Sequence, residues 1–238
     1  MTNQPPALSI VIPAYNEEAH IGATLETLLQ SLDQSEIPTW EVIVSNDASD
    51  DRTVEIAETF PVRIVESGKR NIGGTRNVGA KHATGDYVLF VDADTLVPVE
   101  TLTSLWKEME KETVGGGARI EWSEPVSWKG KAPLMFWNTI SPLFRAPAGS
   151  FLFARREIFE AIGGFNESLF AGEELDLAYR LKKHGPLRIL KDPIKTSPRK
   201  LQQFSKREIL SLYRRVLFSP RKMLGDRDQL DLWYTRRS

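Results

Sequence analysis

The chain reads as an α/β protein built on a mostly parallel sheet with helices on both faces. Three observations predict this. From residue 8 onward, short apolar runs alternate with amphipathic stretches. Their order up to residue 92 is β-α-β-α-β-α-β, and right-handed crossovers lay such strands side by side and parallel. Finally, Tyr87-Val88-Leu89-Phe90-Val91 is apolar throughout, as expected of a central strand buried on both faces. This run ends in Asp92-Ala93-Asp94-Thr95. Two carboxylates one residue apart therefore stand at a strand's carboxyl end, where the ligand crevice of an open α/β sheet lies.

The elements follow in order. Leu8-Ser9-Ile10-Val11-Ile12 is a short strand, which Pro13 is expected to stop. Ala14-Tyr15-Asn16-Glu17-Glu18 forms a turn, and Asn16 with the two acids suits a helix start ahead of Ile21, Leu25, Leu28 and Leu32. No Gly-x-Gly-x-x-Gly occupies this turn, which counts against a dinucleotide-dependent oxidoreductase. Trp40–Ser45 is the second strand and runs into Asn46–Thr53, an acidic, Ser-containing turn suited to gripping a base or ribose. There Asp51 suits a helix cap, whereas Asp47 sits at the strand end itself. Val62–Val65 is the third strand, and the loop Ser67–Gly79 mixes glycines with Lys69, Arg70 and Arg76. Backbone amides at a helix start, together with Arg76, would cradle phosphate; a flexible basic loop is the plain alternative.

Beyond the Asp pair, Glu100–Glu112 has helical spacing and Val114–Ile120 reads as a strand with a Gly-rich entry. From Glu121 to Ala148 the pattern breaks down into Trp, Pro and Gly around Leu134-Met135-Phe136-Trp137, which reads as a long acceptor-facing loop or a satellite core. Gly149–Ala154 is a further strand, and Arg156–Ile162 a helix ended by Gly163 and Gly164. Glu173, Glu174 and Asp176 open a last helix running to Gly185. First-turn acids stabilise a helix through its dipole, but three in one turn repel each other, a pattern expected where one carboxylate must serve as a general base.

Composition narrows the function. The chain has 238 residues with 41% hydrophobic and 26% charged, enough for a sizeable core in one domain of about 200 residues followed by a tail. It has no Cys, which excludes disulfides, thiolate metal sites and a Cys nucleophile. Met1–Pro6 lacks an apolar signal core and no run of about 18 apolar residues occurs, so a cytoplasmic protein, soluble or peripheral on the membrane, is expected. Charge is uneven: Lys195–Ser238 carries 12 Lys and Arg against 4 Asp and Glu, or +8, leaving −9 for residues 1–194. Two nearby carboxylates at Asp92 and Asp94 call for a cation between them, and Mg²⁺ or Mn²⁺ prefers such oxygen ligands.

Together, Ile10-Val11-Ile12-Pro13-Ala14-Tyr15-Asn16-Glu17, the Asp47-x-Ser49-x-Asp51-x-Thr53 turn, Arg76-Asn77-x-Gly79, Asp92-Ala93-Asp94, Gly163-Gly164-Phe165 and Gly172-Glu173-Glu174-x-Asp176-Leu177 with Arg180 resemble the family-2 glycosyltransferases of the GT-A fold. The resemblance covers roughly residues 8 to 185. It implies a Rossmann-like catalytic domain over 1–200, with a nucleotide-sugar half near 8–95 and an acceptor half near 96–200. It also implies inverting transfer of a sugar from a nucleotide-sugar to a glycan or lipid-linked acceptor, with no nucleic-acid partner. Asp47 would take the nucleobase, Asp92 with Ala93 the ribose or metal side, and Asp94 the Mn²⁺ or Mg²⁺ bridging the diphosphate. Pro13, Ala14, Tyr15 and Glu17 would line the nucleoside pocket, with Arg76 near the diphosphate. The family usually carries Glu-Asp where this chain has Glu173-Glu174, so Glu174 is the expected base and Glu173 and Asp176 stay open.

Rival readings remain on residues alone. Asp92-Ala93-Asp94-Thr95 also resembles the D-x-D-x-T phosphatase signature, but that signature normally ends a first strand and three β-α units precede it here. A nucleotidyltransferase would share metal and nucleotide, yet would be expected to carry a Gly-rich basic first turn. A binding module without catalysis is favoured only by the Glu173-Glu174 departure. In the tail, residues 201–238, Ser205-Lys206-Arg207-Glu208 has the form of a capping box, and Ile209, Leu212, Tyr213, Val216 and Leu217 follow at helical spacing up to Pro220. Such a basic-rimmed helix either packs on the catalytic domain or lies on an anionic membrane.

Overall fold

The computed structural model describes residues 5–169 and 171–199. Its first half follows the apolar runs: β1 (Leu8–Ala14), β2 (Trp40–Asn46), β3 (Arg63–Glu66) and β4 (Tyr87–Val91) are all parallel, with β1 between β2 and β4. They alternate with α1 (Ile21–Gln34), α2 (Thr53–Ala57) and α3 (Ile72–Lys81). Side chains of β1 alternate across the sheet. Ile10 and Ile12 pack with α1 residues Leu25 and Leu28, and with Leu102 and Leu105 of α4 (Val99–Glu110). Val11 faces the other layer, with Ala80 of α3, Phe159 of α6 (Arg156–Ala161) and Leu177 of α7 (Glu173–Leu181). A strand with helices on both faces has no polar side, which is why these runs carry no hydrophobic alternation.

The second half completes an eight-stranded sheet. The order is β3-β2-β1-β4-β7-β6-β8-β5, with β5 (Thr95–Leu96), β6 (Gly115–Trp122), β7 (Phe151–Arg155) and β8 (Leu187–Thr196). Strand β7 is antiparallel to both β4 and β6, β6 is parallel to β8, and β5 is antiparallel to β8. The glycines of β6 are there for contact: a Cβ on Gly116 would stand 1.8 Å from the Arg188 carbonyl oxygen. Because β5 follows β4 after only three residues yet pairs with β8, the Asp92–Asp94 turn links the two sides of the sheet.

Several sequence expectations change. Pro13 does not stop β1, because β4 pairs only as far as Val11 and Pro13 lies beyond it, opposite Ser45 of β2. Helix α1 begins at Ile21, not at Asn16, and Glu17 and Glu18 stay in the preceding turn. The stretch from Glu121 to Ala148 is not a long loop: it holds a 17-residue helix, α5 (Trp128–Phe144), with Pro133 and Pro142 inside it. Leu134 and Trp137 pack it on the core. The Asn138 amide accepts from the Ile120 N–H (3.0 Å) and donates to the Ile120 carbonyl (2.7 Å), in the manner of a strand neighbour. Strands β5 and β8 were not expected. The tail expectation for residues 201–238 lies outside the described residues.

Candidate active site

Three parallel strands deliver their carboxyl ends to one edge, and the turns there are laced together. The Asn16 N–H donates to Ser49 Oγ (3.0 Å), Glu17 N–H to Thr53 Oγ1 (2.7 Å) and Glu18 N–H to Asp51 Oδ2 (3.1 Å). Asn16 takes a left-handed backbone, φ 55°, a conformation that Asn tolerates better than most residues. Burial works against ionisation of Asp51, but the hydrogen bonds from Thr53 and Glu18 overcome it and hold its carboxyl below the ordinary range. Pro13 and Ala14 are buried at the end of β1, while Tyr15 is 54% exposed. Asp47 is buried at the end of β2, where its Oδ1 accepts from Ser67 Oγ and the Arg70 N–H, both 2.9 Å.

The Asp pair occupies the neighbouring position. Thr24 Oγ1 of α1 donates to the Ala93 carbonyl at 2.8 Å and fixes the turn. Asp94, with its side chain 7% exposed, receives Arg199 Nε at 3.0 Å, and the same guanidinium donates to Glu17 (Nη1 to Oε2, 2.7 Å). Burial pushes the Glu17 carboxyl up against the pull of Arg199. The corner between Glu17 and Asp94 thus already attracts a cation, and its oxygen donors suit a hard divalent ion. Among the described residues no cluster of three or more His, Asp or Glu side chains gathers to hold a metal alone.

Arg76 is the main departure from expectation. Its side chain is buried and not open on the crevice, being only 2% exposed. Its Nη2 donates to Asp92 Oδ1 (2.9 Å) and to the Gly149 carbonyl (3.1 Å), and its Nη1 to Glu173 Oε1 (2.7 Å). The Phe165 ring centroid lies 5.3 Å from the guanidinium carbon. The surrounding motif positions it. Asn77 accepts from the Phe165 N–H (2.8 Å) and donates to its carbonyl (2.9 Å), and a Cβ on Gly79 would stand 2.3 Å from Val11. At the start of α3, Asn71 caps the helix by accepting from the Gly74 N–H (2.9 Å).

The three acids of α7 separate by partner. Glu173 is held by Arg76, and Asp176 by Arg180 (Nε to Oδ2, 2.8 Å). Glu174 enters no ion pair among the described residues. Burial, and then the adjacent Glu173 carboxylate, push its carboxyl up from the ordinary 4.5 to about 8.

Residues 9–163 match the family model described as glycosyl transferase family 2. The chain belongs to that family. Among relatives of this family-2 chain, EpsJ of Bacillus subtilis, an uncharacterized glycosyltransferase, is 34% identical over 111 residues, 44% of this chain and 31% of the relative. The dolichyl-phosphate beta-glucosyltransferase ALG5C of Trichomonas vaginalis is 32% identical over 137 residues, 50% and 41%. The matched stretch spans less than half the length of each. Staphylococcus aureus TarS 1-349 in complex with UDP shares the fold, with a TM-score of 0.62 at 22% identity, over 90% of this chain and 73% of that one. So does Mycobacterium tuberculosis glucosyl-3-phosphoglycerate synthase in complex with Mn²⁺ and UDP, at 0.61 and 18%, over 92% and 80%.

Within this family-2 fold, the residue that sequence reasoning missed is Arg199. It lies three residues beyond the unexpected β8 and was counted only as part of a basic tail. The link is topological: β5 pairs with β8, so the chain leaving Thr196 passes Asp94, whose carbonyl accepts from the Ser197 N–H at 3.3 Å.

Proposed function

We propose that the protein transfers a sugar from a nucleoside diphosphate sugar to a glycan or lipid-linked acceptor, with a divalent metal and with inversion at the anomeric carbon. The observation that carries this reading is the buried chain Asp92–Arg76–Glu173, which ties the donor-side carboxylates at the end of β4 to the first turn of α7. Donor and acceptor sides are thereby held in one rigid unit, the positioning a displacement reaction needs.

On this reading Asp47 takes the nucleobase, Pro13, Ala14 and Tyr15 line the nucleoside pocket, and Asp92 with Ala93 meets the ribose. Asp94 with Asp92 would hold Mn²⁺ or Mg²⁺, beside the position that the Arg199 guanidinium takes at Asp94. Such an ion would supply positive charge against the leaving diphosphate. Glu174 accepts the proton of the acceptor hydroxyl as its oxygen bonds to the anomeric carbon and the bond to the diphosphate breaks. Glu173 and Asp176 are held by Arg76 and Arg180, which supports Glu174 in that role.

Thermal-shift measurements with a panel of nucleoside diphosphates test it. One of them at about a hundred times its Kd stabilises the protein by roughly 2.7 kcal/mol in Mn²⁺, and clearly less in EDTA. No shift with any member, metal present, would overturn the donor assignment.

A further inference from the structure

Helix α5 presents to solvent a face that a water-soluble helix would not. Met135, Phe136, Leu143 and Phe144 are 63–77% exposed, while the opposite side packs through Leu134 and Trp137. The exposed set recurs at helical spacing, with exposed Ala132 one turn before it and Thr139 between its members, so it forms one stripe along a helix about 25 Å long. At its end α5 meets α7, where Lys182 Nζ donates to the Phe144 carbonyl at 2.6 Å. Helix α7, which this contact joins to α5, also carries exposed Leu175 and Tyr179. Patches of this kind mark interaction surfaces.

Charge identifies the partner. From Pro125 to Ala148, the stretch that holds α5, the sequence contains three Lys and Arg and no Asp or Glu, in a chain with 32 acids among 238 residues. Arg145, Lys182 and Lys183 are exposed beside the apolar stripe. We propose that the outer face of α5, continued by α7, is a docking surface for an anionic lipid bilayer, with Met135, Phe136, Leu143 and Phe144 entering the interface and the cations at the headgroups. The chain's own residues 200–238 suit this face poorly, because they carry ten Lys and Arg against four Asp and Glu. They would bring like charge against it, whereas an anionic surface satisfies both. On the glycosyltransfer reading, the helix that carries Glu174 then borders the bilayer, and the acceptor is lipid-linked. Among the described residues no helix is long and apolar enough to cross a membrane, so the contact is in-plane.

Because the chain has no Cys, Phe136→Cys in the full chain takes a single polarity-sensitive fluorophore, with Glu55→Cys on α2 as control. Phosphatidylcholine vesicles containing phosphatidylglycerol are expected to float the protein at low salt and release it at high salt. The label at 136 shifts to the blue on binding and the label at 55 does not. Phe136→Glu with Leu143→Glu lowers partitioning by roughly tenfold or more, while nucleoside diphosphate thermal shifts stay at the wild-type value. Absence of flotation overturns the proposal. So does flotation without a shift at 136, or a label already shifted without vesicles, which would mean that the tail or a second copy covers the face. Loss of all nucleotide shifts alongside intact flotation would instead sink the glycosyltransfer reading alone.

Discussion

Replacing Arg76 by Met separates a structural bridge from a phosphate ligand. The guanidinium is buried between Glu173, with 6% of its side chain exposed, and Asp92, with 20%. Met fills a similar volume but leaves the Glu173 carboxylate buried without its cation. Breaking a buried pair from one side costs about 3–5 kcal/mol. At roughly 2–4 °C per kcal/mol for a domain of this size, the midpoint falls by about 6–20 °C. Arg76→Lys keeps one charge but cannot reach both carboxylates with a fork, and is expected to lose an intermediate amount. Chemical and thermal denaturation, without nucleotide, measure this directly. A loss under about 1 kcal/mol accompanied by weakened nucleotide binding would refute the bridge and restore Arg76 to the diphosphate.

Other consequences concern the two ends of the site. Asp94→Asn should weaken nucleoside diphosphate binding sharply in Mn²⁺ and little in EDTA, and equal weakening in both would remove the metal from that residue. Arg199→Gln removes the cation that Asp94 now holds, so Mn²⁺ titrated without nucleotide, read by electron paramagnetic resonance, should bind tighter; unchanged affinity would show that the guanidinium does not compete. Glu174→Gln should cut turnover by roughly 10²–10⁴ with donor affinity intact. Because the Glu174 carboxyl is raised to about 8, wild-type turnover should climb as pH rises through that region. An acid limb near 4.5 would contradict the assignment. The same shift means the folded state holds a proton that the unfolded state has released, so this residue's contribution to stability falls as pH rises from 4.5 to about 8.

The β-α units were legible because their strands are buried on both faces and their helices are plainly amphipathic. Helix α5 was not, since it has two prolines, apolar residues on most of its circumference and no acid to mark a start. A helix that is apolar outward as well as inward gives no periodicity to read. Strand β8 was hidden by Lys191, Asp192, Pro193 and Lys195, because it buries only about every third residue and shows neither a continuous run nor clean alternation. The site was legible by residue type at the strand ends, with Asp47 just past β2 and Asp92 and Asp94 just past β4 on one edge of the parallel strands. Burial was not: nothing in Arg76-Asn77-x-Gly79 says that the arginine points inward. The contact of Arg199 with Asp94 depends on a strand pairing between residues a hundred positions apart.

The proposed reaction is sugar transfer from a nucleotide donor at this site. The most direct test is incubation of the full chain with anomerically labelled nucleotide-sugars, Mn²⁺ and anionic vesicles carrying candidate acceptors, followed by nuclear magnetic resonance of the products. One donor is expected to be consumed, with release of its nucleoside diphosphate and a product of inverted configuration; turnover is lost in Asp94→Asn and strongly reduced in Glu174→Gln. A retained configuration, or turnover indifferent to both substitutions, would contradict it.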